Sequence, residues 1–218
     1  IPSLFSFKTK DTNLHALQGL SVQNTKVSLQ LAPKAKQEGP VLITHWGVSG
    51  PAIIKLSAWQ AKSLHDHNYQ TSCRINWLAT QSQGSILEKL NTCKQSQSKK
   101  YCQGKSPFKE IPQRLWAYFC NESSIQAHQT WQSLSKKQSN KLLNILCQQE
   151  LSITGKGPFK EEFVTCGGVD QRCINFKTMA SKHDPNLYVV GELLDCDGIT
   201  GGFNFQQAWA TGWLAGSN

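Results

Sequence analysis

The chain has 218 residues, 39% hydrophobic and 17% charged, which is enough to bury a sizeable core in one or two domains. No run approaches the roughly 18 apolar residues of a membrane-spanning helix, so no membrane partner is expected for these residues. The formal charge of +9 invites a nucleic-acid reading, but the basic residues are dispersed along the sequence as Lys34/Lys36, Lys99/Lys100/Lys105 and Lys136/Lys137/Lys141, with only three arginines. Aromatic residues do not interleave with them as a base-stacking platform requires. The composition therefore reads as a solvated lysine-rich surface, with nucleic acid not the expected partner, although a positive field helps an anionic dinucleotide approach.

The eight cysteines, at 73, 93, 102, 120, 147, 166, 173 and 196, form no Cys-x-x-Cys pair. Neither a zinc site nor a secreted disulfide framework is indicated, and the reading is of reduced thiols in a cytoplasmic protein with no metal. His65 and His67 make a His-x-His without a third ligand at suitable spacing.

In chain order, residues 1 to about 58 are strand-rich. Val27–Leu31 alternates apolar and polar side chains as a half-buried strand does. Val41–Thr44 is a second candidate, entered through Gly39-Pro40, and Ile1–Phe7 and Leu14–Leu20 are weaker ones. Thr44-His-Trp-Gly-Val-Ser-Gly-Pro-Ala52 then turns from strand to a helical run, Ile53–Lys62, with Ser49 or Gly50 as its cap and Pro51 in its first turn. His45 is the residue of this turn suited to proton donation or substrate contact, because imidazole titrates near neutrality. Ser49 does not sit in a Gly-x-Ser-x-Gly elbow and is no hydrolytic nucleophile.

Thr71–Trp77 is a further strand candidate, after which the periodicity becomes helical. Its stripes are Ile86/Leu87/Leu90, Ile111/Leu115/Phe119, and Leu142/Leu143/Ile145/Leu146 with Leu151; Ser135 before Lys136 and Gln138 marks a helix start. Gly155-Lys-Gly-Pro158 breaks the pattern. Phe163–Thr165 reads as a short strand ending at Gly167-Gly168. The last segment carries the clearest functional pattern. Leu187–Val190 has the length and β-branching of a buried strand, Gly191-Glu192 sets a carboxylate at its end, and a loop leads to Gly201-Gly202 and a helix starting near Phe205. Strand, acid, glycine turn and helix predict a ligand over the turn, where helix N–H groups and the dipole meet an electron-rich group. Ala208, Thr211, Gly212 and Ala215 form a small-residue stripe for close packing, with Trp209, Trp213 and Leu214 beside it.

Three stretches resemble the BaiN-like NAD(P)/FAD-dependent oxidoreductases, in that family's order: Thr44–Ala52, Phe163-Val-Thr-Cys-Gly-Gly-Val169, and Gly191 through Gly212. The resemblance implies an α+β fold of mixed type, with an inserted antiparallel β domain (residues 1–82), a small helical section (83–160) and the C-terminal strand–helix part of a Rossmann-like FAD-binding domain (161–218). It places Thr165, Gly167 and Gly168 close to FAD. Glu192, following Gly191, would accept hydrogen bonds from ribityl or ribose hydroxyls, while Gly201, Gly202, Phe203 and Asn204 would offer backbone N–H groups to the flavin's pyrimidine edge. Hydride would come from NAD(P)H or from an oxidisable small-molecule substrate, whose identity the resemblance does not give. The family's opening Gly-x-Gly-x-x-Gly unit does not occur here, the chain starts Ile1-Pro2 and its only methionine is Met179. The expectation is therefore the C-terminal part of a longer flavoprotein, with an N-terminal nucleotide-binding part as its partner. Two other readings stay open: a cofactor-free interaction or assembly module on the same fold, and a lysine-rich RNA-binding module.

Overall fold

The structure, a computed structural model, describes residues 1–158 and 163–217. The expected boundary between residues 160 and 161 falls outside them. The chain opens with β1 (Pro2–Ser3) and β2 (Phe7–Thr9), then the one-turn helix α1 (Thr12–His15). Leu14–Leu20, expected as a strand, is instead this helix and the turns after it. The Asp11 side chain accepts from the Leu14 N–H at 2.9 Å and caps the turn, and Leu14 and Leu17 are buried three residues apart, a helical spacing.

β3 (Ser21–Leu29) and β4 (Ala32–Ile43) form a hairpin, so the strand expected to reach Leu31 stops two residues earlier at the turn. Gly39-Pro40 lies inside β4 rather than at its entrance. The register slips there, between Val22 and Thr25 of the partner strand, and a bulge tolerates a residue that has no N–H to donate. A tight turn holding His45 leads to β5 (Gly47–Ser49) and α2 (Pro51–Trp59). Gly50 caps α2 at φ 97°, and a Cβ there would sit 2.7 Å from the Pro40 carbonyl oxygen, so only glycine allows this junction. α3 (Ala61–Asp66) and β6 (Thr71–Asn76) follow.

The helical stripes become α4 (Gln83–Ser96), α5 (Gln113–Glu122) and α6 (Lys136–Gln148). Ser135 caps α6 in a capping box with Gln138. Leu151, expected to extend the last stripe, belongs instead to a strand, β7 (Gln149–Lys156), whose Gln149, Leu151 and Ile153 are buried while Glu150 and Ser152 are exposed. β7 pairs with β6 on one side and β2 on the other, which closes a six-stranded barrel in the order β2-β5-β4-β3-β6-β7. Barrel and helices share one continuous core: Trp77 at the end of β6 tilts against Phe119 of α5, and Trp116 of α5 stacks on Trp131.

The described residues from 163 onward have a smaller core of their own, Ile174, Met179, Val189 and Leu194. β8 (Val164–Thr165) pairs antiparallel with β1, and β9 (Ile174–Asn175) pairs with β10 (Ala180–Ser181). Leu187–Val190 is not a buried strand: Tyr188 makes a single bridge to Ala180, and Leu187 and Tyr188 are exposed. A strand needs ladder partners, and this segment's backbone bonds run to Met179, Ser181 and Asp184, with one isolated bridge in place of a ladder. The chain ends in α7 (Phe203–Gly216), which packs on a 3-10 turn at Gly191–Leu193. Mixed α+β architecture is thus what the structure shows: a closed barrel with seven helices among the described residues.

Candidate functional site

The site grows from the loop between the 3-10 turn and α7. Gly202 caps α7 in the left-handed region, φ 83°, with no side-chain cap hydrogen bond, and a Cβ there would point into open space. The first turn of this 14-residue helix is therefore left without a side-chain cap. Asn204, in that first turn, clasps the loop: its Oδ1 accepts from the Gly198 N–H at 2.7 Å and its Nδ2 donates to the Gly198 carbonyl at 3.0 Å. Glu192 is held from the other side, its Oε1 accepting from the Thr165 N–H at 2.6 Å.

These residues border one cleft of about 420 Å³, walled by Leu4, Phe163, Val164, Ile199, Thr200 and Phe205 beside Glu192, Gly201, Gly202 and Asn204. It is mostly apolar, with a single carboxylate, a glycine turn and a helix N-terminus converging on it. Those groups suit a flat, electron-rich ring with a hydroxylated side chain. The carboxylate accepts from hydroxyls, the turn lets the backbone approach, and the dipole favours negative charge. The residues present fit the ribityl and pyrimidine portions of a flavin.

A second cleft, about 530 Å³, opens on the other side of Ile199, between α2–α3 and the loop, lined by Trp59, Lys62, Cys166, Asp197 and Phe203 among others. Burial raises the Cys166 thiol pKa above its ordinary value, and the nearby Asp197 raises it further, which disfavours a reactive thiolate there. Asp197 in turn accepts from the Ser3 hydroxyl at 3.3 Å.

The structure divides the predicted residues. Glu192, Gly201, Gly202 and Asn204 meet at the first cleft, and Phe203 lines the second. Thr165 acts through its backbone, orienting Glu192. Gly168 and Gly191 serve packing instead. A Cβ on Gly168 would lie 2.5 Å from the Leu193 carbonyl oxygen, and buried Gly191 donates its N–H to Thr211 Oγ1 at 2.9 Å beneath α7. Gly167 takes φ 99° with open space around it and lines neither cleft. His45 is exposed on the turn before β5, edge-on to Trp46 at 4.2 Å, and also lines neither. Sequence reasoning missed Leu4, which is buried at the cleft with φ 58°. A left-handed leucine is an outlier that only coordinates reveal.

The HI0933-like protein barrel and H2TH domain matches residues 1–164. A ribosomal RNA dihydrouridine synthase of Haemophilus influenzae is 30% identical over 96% of this chain and 48% of its own length. A 3-dehydro-bile acid delta(4,6)-reductase of Clostridium scindens is 30% identical over 99% of this chain and 53% of its own. A ribosomal RNA dihydrouridine synthase of Escherichia coli is 28% identical over 79% of this chain and 40% of its own. The chain thus spans about half the length of the curated relatives it matches.

Proposed function

The chain belongs to the HI0933-like family, and from that membership we propose that it is the flavin-gripping part of an FAD-dependent reductase acting on a carbon–carbon double bond. The observation that carries this is the convergence of Glu192, the Gly201-Gly202 turn and the α7 N-terminus on one cleft. The relatives' names support the reaction class. Dihydrouridine is uridine with its pyrimidine double bond saturated, and the bile-acid enzyme is a reductase by name. FAD, when bound, supplies hydride transfer, with NAD(P)H as the proposed source. Glu192 accepts from the ribityl hydroxyls and Thr165 holds it in place. Gly201 and Gly202 bring the backbone against the pyrimidine edge, and the α7 dipole stabilises negative charge there by roughly 1 kcal/mol. His45 is assigned no step.

The C-terminal part is proposed to complete a Rossmann-like FAD domain together with a nucleotide-binding part of the same protein. Phe163, Phe205, Trp209 and Trp213 leave 68–75% of their surface exposed, an aromatic face of the kind that is normally covered. Between the two substrate classes named by the relatives, the concentration of a net +7 in residues 83–148 favours a polyanion, against the expectation from the dispersed lysines, so the proposed substrate is a uracil base in RNA. The test uses the full-length protein. It should carry the visible absorbance of oxidised flavin; Gly202→Val should abolish flavin retention by filling the turn, and Glu192→Ala should weaken it with the fold intact by circular dichroism. A colourless protein even after FAD addition would favour a cofactor-free assembly module instead.

A further inference from the structure

The helical section carries most of the chain's charge. Residues 83–148 hold ten basic residues against Glu88, Glu110 and Glu122, a net +7 of the total +9. Dispersal in sequence is not dispersal in space. Residues 98–102 run antiparallel to 129–132: the Trp131 N–H donates to the Lys100 carbonyl at 3.0 Å, the Gln132 N–H to Ser98 at 3.0 Å, and the Cys102 N–H to Gln129 at 2.8 Å. This pairing carries Lys99 and Lys100 to the segment that leads within a few residues into Lys136 and Lys137 at the start of α6. Lys94 reaches the same place, its Nζ donating to the Leu134 carbonyl at 2.7 Å. All five lysines are exposed, and among the described residues none pairs with a carboxylate.

Two further observations point outward from this edge. Lys136 and Lys137 occupy the first turn of α6, which has no acidic residue, although cations at a helix N-terminus oppose the macrodipole. No aspartate or glutamate occurs between Glu122 and Glu150 to relieve them. At the same edge Tyr101 is 52% exposed and packs edge-to-face on His128, ring centroids 5.3 Å apart. An exposed aromatic pair among uncompensated lysines offers a stacking surface beside a track for phosphates.

We infer that this edge of the helical section, built on Lys99, Lys100, Tyr101, His128, Lys136 and Lys137, grips single-stranded segments of structured RNA. The inference rests on the RNA-substrate reading above and assigns that reading a surface remote in sequence from the flavin loop. The lysines neutralise backbone phosphates and Tyr101 stacks on an unpaired base.

The experiment measures binding of fragmented ribosomal RNA and of poly(U) to the full-length protein across a salt series, with flavin content recorded for each variant. The fourfold variant Lys99→Gln, Lys100→Gln, Lys136→Gln, Lys137→Gln should bind at least tenfold more weakly at low salt. Its slope of log affinity against log salt should fall by about 3, at roughly 0.7 per lost single-strand phosphate contact. Tyr101→Ser should weaken binding about fivefold or more with the slope unchanged, since the ring carries no charge. Flavin content should not move in either. Unchanged RNA affinity and slope in the fourfold variant would overturn the inference, as would wild-type binding to phosphatidylglycerol vesicles without binding to RNA. A protein without flavin whose RNA binding still follows these lysines would sink the reductase reading and leave this surface standing.

Discussion

Tyr118 shows how single side chains join the two halves of the core. Its hydroxyl donates to Asp11 Oδ2 at 2.5 Å and accepts from Gln149 Nε2 at 2.9 Å, while Gln149 Oε1 accepts from the indole N–H of buried Trp77 at 2.7 Å. Four residues from α5, β7, the α1 cap and the end of β6 thus satisfy one another, from buried Trp77 out to the wall of a polar cleft. Burial pushes the phenol far above its ordinary range, and the Asp11 hydrogen bond pushes it in the same direction. Tyr118→Phe should lower stability by about 1–3 kcal/mol, because it removes the partner of Asp11 Oδ2 and of Gln149 Nε2 together. Urea denaturation checks this, and an unchanged midpoint would show that water replaces the hydroxyl. At this scale glycine has two separable uses. Gly50 and Gly168 lie where a Cβ would collide with backbone, whereas Gly202 faces open space and is needed for its left-handed turn.

Among the elements, α6 is the one whose start is written locally. The Gln138 N–H donates to Ser135 Oγ at 3.2 Å and Gln138 Oε1 accepts from the Ser135 N–H at 3.1 Å. Ser135→Ala should cost about 1 kcal/mol. Ser135→Asp should retain that stability, because it keeps the cap and places an anion against the dipole and two lysines. Thermal melts of the two variants side by side decide it. α7 obeys a different logic. Thr211 and Ala208 of the predicted small-residue stripe do pack, against Gly191, but Trp209 and Trp213 point outward beside Phe205. Gly212 of the same stripe is exposed with open space around it, so spacing located only part of the packed face, while the outward face acquires meaning only beside the proposed nucleotide-binding part.

For the whole molecule, the closed barrel and the core it shares with the helices bury several ionisable groups in their neutral form. Burial pushes the Cys73 thiol up to about 12 and the Cys102 thiol to about 11, from an ordinary value of 9.0. A group with its folded pKa raised contributes stability that is complete below its unfolded pKa and lost as pH climbs through the folded one. Tyr118 adds to this in the same direction. Stability should therefore hold up to about pH 9 and fall progressively between pH 9 and 12, read as a declining Tm. A Tm constant across that window would mean these thiols are not buried as described.

What the amino-acid order determined alone was whatever rests on neighbours a few residues apart: the three main helices, the capping box at Ser135, the strand-to-helix turn at Gly50-Pro51 and the glycine loop that opens α7. Tertiary structure decided the rest, because it depends on partners far along the chain. β7 becomes a barrel strand only between β6 and β2, and Tyr118 meets Asp11 across 107 residues. Leu187–Val190 has strand composition, yet among the described residues it lacks the neighbours that make a strand. The lysines, scattered when counted along the chain, gather because backbone hydrogen bonds lay residues 98–102 beside 129–132. Local propensity is set by covalent neighbours, but pairing, burial and electric field are set by whatever the fold brings near.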